Sequence, residues 1–209
     1  MYKLFLLIAT LALATACKRE APGGHPYEER VLVQDNTDDL SELVWDYVEG
    51  LKHEQRLFFE NASVVAGPLE SILRLEFSTQ SLLEMGEARI MLVDLVEGLL
   101  QRINSSRVSY NLRPLPFTAN QLEVYIDFQS YYAEYVDENM IGWVVLEGGM
   151  AYYYAWSLKD HRLDLWNARS EPYEKSRSFA KFNKQAQSKY KQEHPDKAAQ
   201  TKGLFLNLH

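Results

Sequence analysis

The side chains that could do chemistry in this 209-residue chain are carboxylates, histidines, tyrosines and one thiol. Carboxylates gather at Glu134, Asp137 and Glu138, and again at Asp160 and Asp164. A catalytic pair needs a fixed separation across a cleft, which neighbours in sequence do not define. A calcium loop would show D-x-D-x-D-G with a distal Glu, whereas Asp137-Glu138-Asn139 suits a solvated turn. The five histidines, His25, His53, His161, His194 and His209, lack zinc-ligand spacing. No G-x-S-x-G, G-x-G-x-x-G or Walker pattern occurs. These residues supply no catalytic set, no metal ligands and no cofactor motif. The expectation is a protein without a cofactor, closer to a binder than to an enzyme.

Aromatic residues are the stronger candidates for recognition. Trp143, Tyr152, Tyr154 and Trp156 fall on one face of a hairpin if the strands on either side of Gly148-Gly149 pair. Such a face is either a stacking platform for a sugar, peptide or aromatic ligand, or a core layer beneath helices. Cross-strand aromatic pairs stabilise a sheet by about 0.2 to 1 kcal/mol each with no ligand, and the core assignment is the expectation. Tyr131, Tyr132 and Tyr135 follow neither a helical nor a strand period. They are the candidate exposed recognition patch, in competition with ordinary loop packing.

The thiol belongs to Cys17, the only cysteine. Before it come a positive charge at Lys3, eleven apolar-dominated residues from Leu4 to Ala14, and small residues at Thr15 and Ala16. That is the layout of a secretory signal peptide. The apolar run is too short for an ordinary membrane span, which takes about 20 residues. A buried amphipathic helix would need a polar face, and only Thr10 interrupts the run. Ala14-Thr15-Ala16 fits cleavage by ordinary signal peptidase, which would leave Cys17 at the new terminus.

The same letters resemble the lipobox of bacterial lipoprotein precursors, in which a leucine and two small residues precede a cysteine that becomes lipidated. Here Leu13 lies one place early and Ala14 takes its position. The resemblance covers residues 1–17 only. It implies a lipid attached at Cys17, an exported protein, and a cell-membrane or outer-membrane location. Lys18, rather than an aspartate, is similar to an outer-membrane destination. The chain itself adds support, because an exported protein with one thiol has no internal disulfide partner. Several acyl chains anchor firmly where one binds only marginally.

Removal of residues 1–16 leaves enough chain for one domain with a substantial core. Residues 38–170 carry 10 basic and 21 acidic side chains, a net −11, and residues 171–209 carry 8 and 4, a net +4. An acidic body excludes nucleic acid as the main partner, since phosphate neutralisation needs a basic surface. The basic tail is diluted by Gln, Asn and Ser and reads as a solvated helix face.

Residues 17–37 mix Pro, Gly and charge and read as a lipidated tether. A helix is expected from about Asp38, with Leu40, Leu43, Val44, Tyr47, Val48 and Leu51 in one stripe. Gly67-Pro68 suggests a second helix, carrying Leu69, Ile72, Leu73 and Glu76. The strongest helical pattern runs from Glu87 to Ile103. Strands are expected at 122–128, 141–147, 150–158 and 163–166, the middle two joined by Gly148-Gly149. A last helix should place Phe179, Phe182, Ala186 and Tyr190 on its apolar side. The fold class is therefore α+β: N-terminal helices, an antiparallel meander of about four strands and a C-terminal helix, with the helices on one sheet face. Residues 38–192 form the single domain and 193–209 a loose tail.

The function these readings imply is a lipid-anchored cell-envelope protein, bound to the membrane through its N-terminus. It would act without catalysis as a binding or assembly factor for another envelope protein or a glycan. Two alternatives stand beside it: a cell-wall or glycan-modifying enzyme, suggested by the aromatic and carboxylate-rich strands, and a surface-displayed adhesin or host-directed factor.

Overall fold

The computed structural model of the chain describes residues 28–31, 39–66, 70–106, 115–129, 140–159 and 162–194. The order of elements is β1 (Glu28–Val31), α1 (Asp39–Gln55), β2 (Leu57–Ala66), β3 (Ser71–Thr79), α2 (Met85–Ser105), β4 (Leu122–Phe128), β5 (Ile141–Glu147), β6 (Met150–Lys159), β7 (Arg162–Pro172) and α3 (Tyr173–Glu193). The seven strands form one sheet in sequence order, antiparallel throughout except where β3 runs parallel to β4. A parallel pair needs a crossover, and α2 supplies it. The protein is α+β, with its helices on one face of the sheet.

Each strand from β3 to β6 sends alternate side chains to opposite faces. Leu73, Leu75 and Phe77 of β3, Leu122, Val124 and Ile126 of β4, Val144 and Leu146 of β5, and Ala151, Tyr153 and Ala155 of β6 are buried beneath the helices. α1 brings Leu40, Val44, Tyr47, Val48 and Leu51 to this core, and α2 brings Leu92, Leu95, Val96, Leu99 and Ile103. Trp45 of α1 meets Phe59 of β2 edge-on at 4.8 Å, and Phe59 meets Phe77 at 5.9 Å, tying helix to sheet. The Tyr47 hydroxyl donates to the Leu95 carbonyl at 2.6 Å, crossing from α1 to α2 where Gly98 leaves room.

The meander of β4 to β7 matches the four expected strands, and Gly148 and Gly149 both take positive φ at the β5–β6 turn. Several expectations need correction. The segment after Gly67-Pro68 is not a helix: Ser71–Thr79 is β3, buried at every second residue through Leu73, Leu75 and Phe77. β2 precedes it, so strands and helices interleave rather than segregate. Glu28–Val31, inside the segment expected to be a tether, pairs with β2 as an edge strand.

Trp143, Tyr152, Tyr154 and Trp156 do share a face, but it is not the core layer beneath the helices. They are half-buried on the opposite face, and the core takes Ala151, Tyr153 and Ala155 from the same strand. Small alanines let helices approach closely, and a strand has only two faces to assign. The last helix likewise turns a different side inward. Tyr173, Ser176 and Ala180 are buried, whereas Phe182 is 69% and Tyr190 50% exposed.

Candidate functional site

The sheet face that no helix among the described residues covers carries a hollow of about 690 Å³. It is lined by Glu60 of β2, by Arg74, Glu76 and Ser78 of β3, by Tyr125 and Asp127 of β4, and by Trp143 and Leu165 further across the sheet. Strand alternation explains the set, because Arg74, Glu76 and Ser78 lie between the core residues of β3, and Tyr125 and Asp127 between those of β4. Bulges interrupt the ladders between Phe59 and Asn61, between Ile141 and Trp143, and between Tyr153 and Tyr154. Bulges bend strands and increase twist, which allows Glu60 on β2 and Leu165 on β7 to border one hollow.

A row of flat groups crosses this face. The Arg74 guanidinium lies over the Tyr125 ring at 5.9 Å and its Nε donates to Glu123 Oε2 at 2.8 Å. Tyr125 and Trp143 stack at 6.3 Å with 30° between planes, and Trp143 and Tyr154 follow at 5.4 Å and 34°. Val145, directly across from both Tyr125 and Tyr152, is buried between them. Burial, and after it the carboxylates of Glu123 and Glu147, push the Tyr125 hydroxyl up to about 12, so it stays a proton donor at neutral pH.

The carboxylates differ in how they are engaged. Glu60 accepts a 2.5 Å hydrogen bond from the Ser78 hydroxyl, and Glu123 is paired with Arg74. Asp127 has a 3.4 Å contact from the Gln129 amide; among the described residues Glu76 has no side-chain hydrogen bond, and Glu60, Glu76 and Asp127 have no cationic partner. Among the described residues no three potential ligands converge to hold a metal ion. Among the described residues neither histidine nor cysteine lines the hollow. The arrangement can bind through charge, ring edges and hydroxyls.

Gly142 shapes the neighbouring rim. A Cβ there would lie 2.5 Å from Leu165 Cδ2 and 2.6 Å from the Trp156 indole, so the glycine lets the indole lie against the backbone. Trp156 Nε1 is buried without a hydrogen-bond partner among the described residues.

A second polar cluster sits on the helix side around a buried carboxylate, Glu171. Arg89 of α2 grips both Glu171 oxygens at 2.8 Å, Arg169 reaches Oε2 at 2.6 Å, and Ser176 donates to Oε1 at 2.7 Å. The Ser176 and Tyr153 hydroxyls are 2.8 Å apart, and Phe179 covers the Arg89 guanidinium at 4.5 Å. Every oxygen of the 2%-exposed Glu171 is satisfied. This cluster fastens α2, β7 and α3 together. Its one sequence signal was a charge, Arg89, inside the apolar pattern of α2.

Cys17, Tyr131, Tyr132, Tyr135, Glu134, Asp137, Glu138 and Asp160 lie outside the described residues. Asp164 is on β7, opposite Ser157. Gln129, which lines the hollow, directly precedes the segment containing the three tyrosines. His53 is exposed in the last turn of α1, and His194 stacks on Tyr190 at 4.5 Å. The hollow went unread in the sequence because its residues come from five strands spread over about a hundred positions. No known protein family, no curated protein and no solved structure matches the chain.

Proposed function

We propose that this chain is an exported, lipid-anchored protein of a bacterial cell envelope, attached through Cys17. Its α+β domain acts as a non-catalytic binding or assembly factor and presents the helix-free sheet face to another envelope protein or glycan. The observation that carries the binding reading is the hollow on that face, where half-buried aromatic rings stand beside carboxylates that have no cationic partner among the described residues. A sheet face left without helices but furnished with aromatic rings has the composition of a recognition surface. The signal-like segment and the single cysteine support the anchor. No helix among the described residues is long and apolar enough to cross a membrane.

Two measurements test the two halves. Metabolic labelling with a fatty acid should mark the wild type and not Cys17→Ser; an unlabelled wild type that fractionates as soluble protein contradicts the anchor. Carbodiimide footprinting should modify Glu76 and Asp127 in the purified protein and spare them in native envelopes. Equal modification in both settings contradicts binding at this face.

The carboxylates also favour a second reading, a cell-wall or glycan-modifying enzyme with two of Glu60, Glu76 and Asp127 as acid and base. Release of new reducing ends from isolated cell-wall glycan, abolished by Asp127→Asn, would establish it.

A further inference from the structure

We propose that the occupant of the hollow is a basic stretch of another polypeptide, whose lysine or arginine side chains reach Glu60, Glu76 and Asp127. This rests on the binding reading above and names the class of partner.

Charge is the first argument. The hollow is lined by three carboxylates and one cation, and that cation, Arg74, already pairs with Glu123 at 2.8 Å. Glu60, Glu76 and Asp127 come from three adjacent strands and have no cationic partner among the described residues. Carboxylates beside low-dielectric aromatic walls focus a negative field, and the net −11 of residues 38–170 adds to it at long range.

Ring orientation is the second. A pyranose stacks on an open aromatic face. Along the row Arg74, Tyr125, Trp143, Tyr154, each of the two middle rings is flanked by a neighbour from the strand on either side, at centroid distances of 5.9 and 6.3 Å for Tyr125 and 6.3 and 5.4 Å for Trp143. What they offer a ligand is edges and, from Tyr125, a hydroxyl. Ring edges and the Leu165 side chain suit the methylene stem of a lysine or arginine, with the charged head carried on to a carboxylate. The carboxylates do not converge as metal ligands, so a small ion does not answer the same description.

The test uses the purified full chain in detergent and three soluble probes: a short peptide of alternating lysine and serine, the same peptide with glutamate for lysine, and a cell-wall glycan fragment. Binding is followed by calorimetry and by tryptophan fluorescence. The lysine peptide should bind, weaken with added salt, and lose about tenfold in affinity in Glu76→Gln/Asp127→Asn. Lys181→Gln, on the exposed surface of α3, should leave the affinity unchanged. Thermal melts of the double variant should overlay the wild type, which shows that lost binding is not lost folding. If the glycan binds and the charge variants do not matter, the partner class is overturned while the binding reading stands. Equal binding of the glutamate peptide, or of the lysine peptide to the double variant, also overturns it. Concentration-dependent self-association abolished by the double variant would assign the hollow to a second copy and overturn it too. If no probe binds, the partner class fails, and footprinting in native envelopes then decides whether the binding reading fails with it.

Discussion

Trp143 stands directly across the β5–β6 ladder from Tyr154, with ring centroids 5.4 Å apart, on the sheet face opposite the helices. The pair closes one end of the aromatic row, and its Trp143 ring both braces the sheet and borders the hollow. Trp143→Ala should cost about 2 kcal/mol, less than a fully buried tryptophan because the ring is half-exposed. Urea unfolding measures this. The same variant should widen the hollow and free one face of Tyr125, so a glycan fragment should bind it better than the wild type.

Gly142 is the bulged residue that lets the Trp156 indole lie flat. Gly142→Ala would place its Cβ 2.6 Å from the indole, which must move. Overpacking of this kind costs about 1 to 3 kcal/mol. The displaced Trp156 should also change near-ultraviolet circular dichroism, and an unchanged spectrum with unchanged stability would contradict the close approach.

Glu171 makes a prediction about acid stability. Burial alone would raise its pKa, but hydrogen bonds from Arg169, Ser176 and Arg89 outweigh it and hold the carboxyl below the usual carboxylate range. With the folded value below the unfolded one of about 4.3, the ionised network stabilises fully above that pH. The contribution drains away as the pH falls through the folded value. Glu171→Gln should cost about 3 kcal/mol at neutral pH by leaving Arg89 buried with its charge uncompensated. Its stability curve should converge on that of the wild type in acid. Parallel curves through the acid limb would contradict the assignment.

Tyr47 and Gly98 should behave as a coupled pair. A Cβ on Gly98 would fall 2.6 Å from the Tyr47 hydroxyl and 3.2 Å from the ring. Although alanine is favoured over glycine in a helix by about 1 kcal/mol, Gly98→Ala should destabilise. Tyr47→Phe should cost about 1 kcal/mol through the lost bond to Leu95. In the double variant the hydroxyl clash is gone, so the combined loss should be smaller than the sum. Additive losses would mean that the two helices do not meet as described.

The sequence carried the elements whose patterns are local. α1, α2 and β4 to β7 announce themselves by period, and Gly148-Gly149 sets a register in which Glu147 meets Met150 and Trp143 meets Tyr154. The bulge at Gly142 is where that register slips, pairing Ile141 with Ala155 rather than with Trp156. β3 was missed because Ile72, Leu73 and Glu76 satisfy helical spacing after a helix-starting proline, while Leu73, Leu75 and Phe77 satisfy a strand. Only its partners decide between them, and β3 finds β4 in parallel across the whole length of α2. The sidedness of Tyr152 to Tyr154 was a choice of parity. Three tyrosines in a row do not reveal that Tyr153, next to Ser176 and Arg89, is the one turned inward. The hollow was out of reach for the same reason, since Glu60, Glu76, Asp127 and Trp143 meet only once all the strands are paired.

The proposed partner meets this protein on the sheet face opposite its helices. The most direct measurement is site-specific photo-crosslinking in native envelopes, with the reactive residue placed in turn at Gln129 and Asp127 of the hollow and at Lys181 of α3. A discrete adduct is expected from both hollow positions, diminished by Glu76→Gln, and none from Lys181. Adducts from Lys181 with none from Gln129 or Asp127 would contradict this placement of the partner.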